Sequence, residues 1–330
     1  MTRVAVTGGG GFIGAYLVRR LVELGWDVTV VDTMIRGDAG RLSSVVDQIR
    51  LVDADVRDEE ALGAAFAGCD VVMHLAAING TENFYNRPEL VLDVGIRGAI
   101  AVVNACRNVG VPDLVVASTA EVYQTPSIVP TPETIALMLP DSLNPRYSYG
   151  GSKIASELIA FNYAQEHFRK VQVFRPHNVY GPDMGWKHVI PQFIVRADAM
   201  RTQAGPQAAT VPFPIQGDGR ETRAFCFVDD VVEGIVRMYA AGGHREVYHI
   251  GNDQEISIAE LVALVGHSLG VTLAVEPSAA AAGGTPRRCP DISKMRALGY
   301  QPQVSLADGL ARTADWYLSH PTPPTANELL

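Results

Sequence analysis

Tyr149 and Lys153 stand four residues apart as Y-x-x-x-K, at the head of a stretch with helical spacing. An i, i+4 pair projects from one helical face. A phenol has a pKa of about 10 and is a poor base at neutral pH, but a nearby ammonium favours the phenolate. The pattern is common and by itself reads as plain helix surface. A second set of residues supplies its chemistry. Near the start of the chain stands RVAVTGGGGFIG, a short apolar β-branched run followed by glycines and then a helical stretch that opens with Phe12 and Ile13. The spacing Gly8-x-x-Gly11-x-x-Gly14 is a variant of the dinucleotide fingerprint, and a GxG also stands at Gly8 and Gly10. Glycines bring bare backbone close to a ligand, and the N–H groups at a helix start favour a pyrophosphate. A second strand, VTVVD, ends at Asp32, whose carboxylate suits a ribose 2′-hydroxyl and repels a 2′-phosphate. The expected cofactor is therefore NAD. Arg36, close by, could meet a phosphate and leaves NADP open. With a nicotinamide present, Tyr149 could take a proton from a sugar hydroxyl while the adjacent C–H leaves as hydride.

Alternating elements position these residues. After the first two strands come a strand in QIRLVDADV, a helix in EEALGAAFAG and a strand in VVMHLAA. Then follow a long helix from PELVLDVG to RNVG, a strand in DLVVAS, and the helix that starts at YSYGGSK. Near-continuous apolar strands between helices indicate a parallel sheet covered on both faces. The expected fold is a Rossmann-type, doubly wound α/β sheet with a smaller C-terminal α/β substrate-binding domain. The Pro-rich stretch 124–146 reads as a long functional loop over the sheet's carboxyl edge. The expected domains are 1–182 for the cofactor and 183–321 for the substrate, with segment 233–252 returning to the first. The expectation for 322–330 is a disordered tail. TQAGPQAATVPFP reads as a surface loop, and Ser257 as the N-cap of a helix in ISIAELVALVGHSLG.

The chain has 330 residues, 47 % hydrophobic and 19 % charged, enough to bury a large core. Its net charge of −9 with no Lys/Arg block argues against nucleic acid as the main partner. Cys69, Cys106, Cys226 and Cys289 are scattered without metal-ligand spacing, so no metal is expected and the thiols read as reduced. No apolar run is long enough to span a bilayer, and the expected location is the cytoplasm.

With these motifs in order, the chain resembles the extended short-chain dehydrogenase/reductases that modify nucleotide sugars. The likeness spans about residues 3–321 by motif order. It rests on TGGGGFIG, Asp32, Asp55-Val56, His74-Leu75-Ala76-Ala77, Ser118 to Tyr123, Tyr149-x-x-x-Lys153, RPHNVYGP, GDGRETRAFCFVDD and RRCPDIS. The resemblance implies that Asp55 and Val56 face the adenine. Leu75, Ala76 and Ala77 then line the cofactor with Gly8, Gly11, Phe12, Ile13 and Gly14. It implies that Thr119 completes a proton relay with Tyr149 and Lys153. It also implies that Asn178 contacts the nucleotide sugar, and that Arg223 and Arg288 hold its diphosphate. Guanidinium forks suit phosphate oxygens. A further implication is a homodimer through residues 91–109 and 152–167.

Three departures stand out. Gln124 replaces the usual Gly after Val-Tyr. Gly95 replaces an Asn. Ala120 stands where 4,6-dehydratases carry a proton-donating Asp, so a simple 4,6-dehydratase is not expected. Glu121 remains, and a carboxylate near C5 is shared by dehydratases and sugar-acid decarboxylases. The expected activity is a nucleotide-sugar epimerase acting at C4 through a transient 4-keto sugar, with Tyr149, Lys153, Thr119 and Glu121 at the reacting centre. UDP-glucuronate decarboxylation is the alternative. A non-catalytic nucleotide sensor ranks below both, because such proteins lose the Tyr or the Lys.

Overall fold

The computed structural model describes residues 1–163, 165–205, 208–279 and 285–320. The tail expected at 322–330 lies outside the described residues. In chain order the first half gives β1 (Arg3–Thr7), α1 (Phe12–Glu23), β2 (Asp27–Val31), β3 (Ile49–Val52), α2 (Glu59–Phe66) and β4 (Val71–His74). It continues with α3 (Thr81–Asn86), α4 (Pro88–Leu92), α5 (Gly98–Val109), β5 (Asp113–Ala117), α6 (Ser148–Asn162) and β6 (Lys170–Pro176). The second half contains β7 (Val179–Tyr180), α7 (Val189–Ala204), β8 (Thr210–Gln216), β9 (Thr222–Ala224), β10 (Cys226–Phe227), α8 (Val228–Ala241) and β11 (Glu246–Ile250). It ends with β12 (Glu255–Ser257), α9 (Ile258–Ser268), β13 (Thr272–Ser278), β14 (Arg287–Arg288), α10 (Ser293–Ala297) and α11 (Leu306–Ser319).

Seven parallel strands form the main sheet in the order β11-β6-β5-β4-β1-β2-β3. The order reverses between β1 and β4, the switch point where such sheets take ligands. One face buries Leu17, Val18 and Leu21 of α1 with Val231, Ile235 and Met238 of α8. The other buries Leu62 and Phe66 of α2 with Val102, Ala105 and Cys106 of α5. Burial on both faces explains why these strands read as unbroken apolar runs. Ile292, Met295 and Tyr300, from the far end of the chain, also pack into the first face. The chain thus returns to the sheet from Val228, ahead of residue 233, and again after β14.

A second apolar cluster joins Ile190, Phe193 and Ile194 of α7, Val211, Phe213 and Ile215 of β8, Leu261 and Val265 of α9, and Leu310 and Tyr317 of α11. Here the structure corrects part of the reading of TQAGPQAATVPFP as a loop, whose residues 206 and 207 lie outside the described residues. TQA ends α7, and Thr210–Gln216 is a strand that, among the described residues, pairs only with β13. Val211, Phe213 and Ile215 point inward while Pro212 and Pro214 stay exposed. A two-stranded sheet is all edge, which tolerates prolines. Ser257 caps α9 as expected, in a capping box with Glu260.

The long helix expected after residue 87 is interrupted by a π-helical turn, Asp93–Arg97, centred on Gly95. A Cβ at Gly95 would lie 2.7 Å from the Ser152 side chain. The Gly95 carbonyl accepts a 3.0 Å hydrogen bond from Ser156 Oγ. The widened turn therefore brings bare backbone against α6. Among the described residues, no helix is long and apolar enough to cross a membrane.

Candidate active site

A cavity of about 530 Å³ opens at the carboxyl ends of β1, β2 and β4. The glycines shape its floor. Gly8 has φ 74°, and a Cβ there would lie 2.7 Å from the Ala76 nitrogen. At Gly14 a Cβ would come within 2.0 Å of the Gly8 carbonyl oxygen. Gly11 caps α1, whose first turn faces the cavity through Phe12, Ile13 and Gly14. The Asp32 carboxylate accepts from the Gly10 and Met34 N–H groups, each at 2.9 Å, and keeps lone pairs for a ligand. Asp55 and Val56 line the opposite wall, and Leu75, Ala76 and Ala77 the loop after β4. Asp55 is fixed by the Arg57 guanidinium, at 2.8 and 2.5 Å, which holds its carboxyl below the usual range. This cradle fits a dinucleotide, since the N–H groups at the start of α1 suit a pyrophosphate and the remaining Asp32 lone pairs suit a ribose. Arg36 reaches across the cavity to donate to the Asn79 carbonyl.

Tyr149 and Lys153 line the far end of the same cavity. Tyr149 stacks on Phe84 of α3, ring centroids 5.1 Å apart. The sequence reading has Lys153 lowering this phenol. In the structure burial acts first and pushes Tyr149 well above its ordinary value, and the Glu121 charge adds to this. A hydrogen bond with Thr119 and the Arg36 charge act in the opposite sense. Lys153 instead donates to the Ala117 carbonyl at 2.8 Å. Burial pulls its pKa down to about 8, against the support of Glu157. Glu157 lies one turn further along α6. It is clamped by Arg175 at 2.8 and 2.5 Å and accepts from Ser118 Oγ at 2.5 Å. The hydrogen-bond network that joins Ser118, Glu157 and Arg175 escaped the sequence reading, although Ser118 and Arg175 stand in its motifs. The i+4 spacing of Glu157 from Lys153 was the available signal.

Thr119, Glu121, Asn178, Arg223 and Arg288 do not line the cavity. They form an adjoining group, joined to it through Tyr149. Thr119 caps a 3₁₀ turn, Ala120–Tyr123, which carries Glu121. The Glu121 carboxylate lies 3.8 Å from Arg288. Arg288 of β14 is in register with Arg223 of β9. Burial lowers the pKa of both arginines; the Arg288 charge adds to this at Arg223, and at Arg288 the Glu121 carboxylate opposes it while Arg146 adds to it. Arg288 Nε is buried without a hydrogen-bond partner among the described residues. Asn178 spends its amide on the Ala224 carbonyl at 3.0 Å, so it secures β9. A cluster of three guanidiniums, one with a buried free donor, suits a polyanion such as a diphosphate. Arg146 was not singled out in the sequence, because nothing local marks it.

Residues 4–251 match the model of the NAD dependent epimerase/dehydratase family. The chain is similar to a dTDP-4-dehydro-6-deoxy-D-allose reductase of Streptomyces sp, 31 % identical over 96 % of both chains. It is also similar to the UDP-glucose 4-epimerase of Mycolicibacterium smegmatis, 32 % identical over 96 % of this chain and 98 % of that one. A dTDP-glucose 4,6-dehydratase from Streptomyces venezuelae, solved with NAD bound, superposes with a TM-score of 0.83 at 31 % identity. That superposition covers 96 % of this chain and 97 % of the other. The chain therefore belongs to the NAD-dependent epimerase/dehydratase family, as an enzyme that uses NAD.

Proposed function

We propose that the chain is a nucleotide-sugar epimerase acting at C4 through a transient 4-keto sugar. One observation carries this reading. Tyr149 is hydrogen-bonded to Thr119, whereas the next residue is Ala120 and the Glu121 carboxylate is turned to Arg288. Acid–base capacity is therefore concentrated on the Tyr149 hydroxyl, and Ala120 offers no donor to expel a second one. When bound, NAD supplies the reversible hydride acceptor and a positive charge that favours the Tyr149 phenolate. Tyr149 takes the proton of the C4 hydroxyl, with Thr119 holding the phenol oxygen. Lys153, anchored by the Ala117 carbonyl, lines the same cavity and would help to hold the cofactor there. Arg223, Arg288 and Arg146 hold the diphosphate while the sugar turns to present its other face. Asn178 keeps β9, and so Arg223, in register.

The test is turnover of UDP- and dTDP-hexoses in heavy water. C4 epimerisation returns an intact hexose without deuterium, because the transferred hydride does not exchange. The competing reading, decarboxylation of a nucleotide-linked uronate, is favoured by the closeness of Glu121 to Tyr149. It would place one deuterium at C5 of a pentose, and that product would overturn the epimerase reading. The same reading carries a homodimer through residues 91–109 and 152–167, where Leu158 is 60 % exposed. A sedimentation mass of one chain at micromolar concentration would refute it.

A further inference from the structure

Gln124 ends the turn that carries Glu121, with φ 53° and ψ −100°. That conformation is dominated by glycine, because a Cβ crowds the backbone there. A residue persists in it only where its surroundings over-determine it, and such outliers gather at functional sites. The surroundings of Gln124 form a closed ring. Its side-chain Nε2 donates to the Glu121 carbonyl at 2.6 Å, and its own backbone N–H donates to the same oxygen at 3.2 Å. Its carbonyl accepts from Thr285 Oγ1 at 3.2 Å. Thr285 Oγ1 in turn accepts from Arg288 at 3.4 Å, and Arg288 faces the Glu121 carboxylate at 3.8 Å. On its other side the amide rests against Gly150, the residue after Tyr149. A Cβ on Gly150 would lie 2.8 Å from Gln124 Nε2 and 3.2 Å from the Glu121 carbonyl. The amide is thus wedged between the turn that bears Glu121 and the helix that bears Tyr149.

We propose that Gln124 is a positioning residue, whose amide seats the Ala120–Tyr123 turn on α6 and thereby sets the Glu121–Arg288 pair against Tyr149. A simple turn former would be glycine, which needs no compensating bonds. Glutamine accepts the strain and returns a donor at the one carbonyl that fixes Glu121. Its effect on turnover rests on the epimerase reading, whereas its effect on geometry does not.

Two variants test the proposal. Gln124→Gly relieves the strain and removes the amide. Gln124→Glu keeps the strain and shape but turns an acceptor toward the Glu121 carbonyl. With whichever of UDP-glucose and dTDP-glucose the wild type turns over, both variants are expected to lose about tenfold in kcat, the worth of one hydrogen bond, with KM changed less than about twofold. Gln124→Gly should unfold at no lower urea concentration than the wild type. Wild-type kcat in either variant, or a loss that follows the unfolded fraction, overturns the proposal. A wild type inert toward every nucleotide sugar would defeat the epimerase reading instead. Crystal structures of the wild type and Gln124→Gly then decide the positioning role by themselves. Separation of Glu121 from Arg288 in the variant supports it, and a superimposable turn and ion pair overturn it.

Discussion

Replacing His177 by leucine should make the protein less sensitive to acid, and the size of the effect follows from three buried imidazoles. His74, His177 and His249 are almost wholly inaccessible. Burial, with Lys153 beside it, pulls His74 down to about 3. Burial likewise pulls His249 down to about 3, near Arg175 and Lys294. His177 is driven well below its ordinary value by burial, then by His249, Arg288 and Arg175. The hydrogen bonds agree with neutral rings. His249 Nδ1 faces the Asp291 carbonyl at 3.1 Å and so carries the proton, while Nε2 accepts from Tyr123 at 2.6 Å. Neither nitrogen of His177 has a hydrogen-bond partner. An imidazole whose folded pKa lies below its unfolded one is protonated first in the unfolded chain. Its contribution is intact above about pH 6.5 and is lost as the pH falls toward the folded value. Between about pH 7 and about pH 5 each such histidine costs about 2 kcal/mol, so three cost about 6 kcal/mol. That is comparable to the whole stability of many domains, about 5–15 kcal/mol. The depressed carboxyls Asp55, Asp93, Asp291, Glu255 and Glu260 act mainly at lower pH and add little in this window. Urea unfolding at the two pH values measures the loss. The His177→Leu variant should lose about 2 kcal/mol less than the wild type between them, and should be no less stable near neutrality, since no hydrogen bond is removed. An equal loss in both proteins would refute the assignment of that share of the acid sensitivity to His177.

Three further outcomes are expected. Tyr149→Phe should fold normally and lose about 10²–10⁴-fold in turnover, and near-normal activity would exclude it as the base. Asp32→Ala should bind NAD about tenfold or more weakly by calorimetry, with relaxed discrimination against NADP, since it removes charged acceptors. A wild type that prefers NADP would contradict that role. Glu157→Gln leaves the buried Arg175 without its counter-charge and should cost about 3–5 kcal/mol in urea unfolding, whereas a loss below about 1 kcal/mol would mean the pair is not buried as described.

How much of this was legible depended on how local each feature is. The glycine turn, Asp32 and the apolar strands follow from neighbouring residues and a short period, so β1–α1–β2 could be read directly. β8 was hidden because Pro212 and Pro214 occupy its exposed positions, and the strand is recognisable only through its partner β13. The Tyr149 environment was misjudged for a similar reason. The Lys153 neighbour is visible in the sequence, but the burial under Phe84 and the turn of the ammonium to Ala117 come from distant elements. The Glu121–Arg288 pair likewise joins segments far apart in the chain, and no local pattern encodes it.

The placement of β11 at the margin of the main sheet bears on how the protein is made. β6 is synthesised with one side docked on β5 and the other bare, and the strand that covers it comes only with residues 246–250. Meanwhile α7, β8 and β9 must emerge first. Gln172 in the middle of β6 also waits for the Met238 carbonyl to receive its side-chain amide. During that interval a row of open backbone donors and acceptors is available to any other nascent strand. A ribosome stalled before Glu246 would therefore release a sticky fragment with an unfinished sheet. Production of this protein should benefit from slower synthesis or chaperone capacity, and splitting the gene between β6 and β11 should yield an aggregating N-terminal piece.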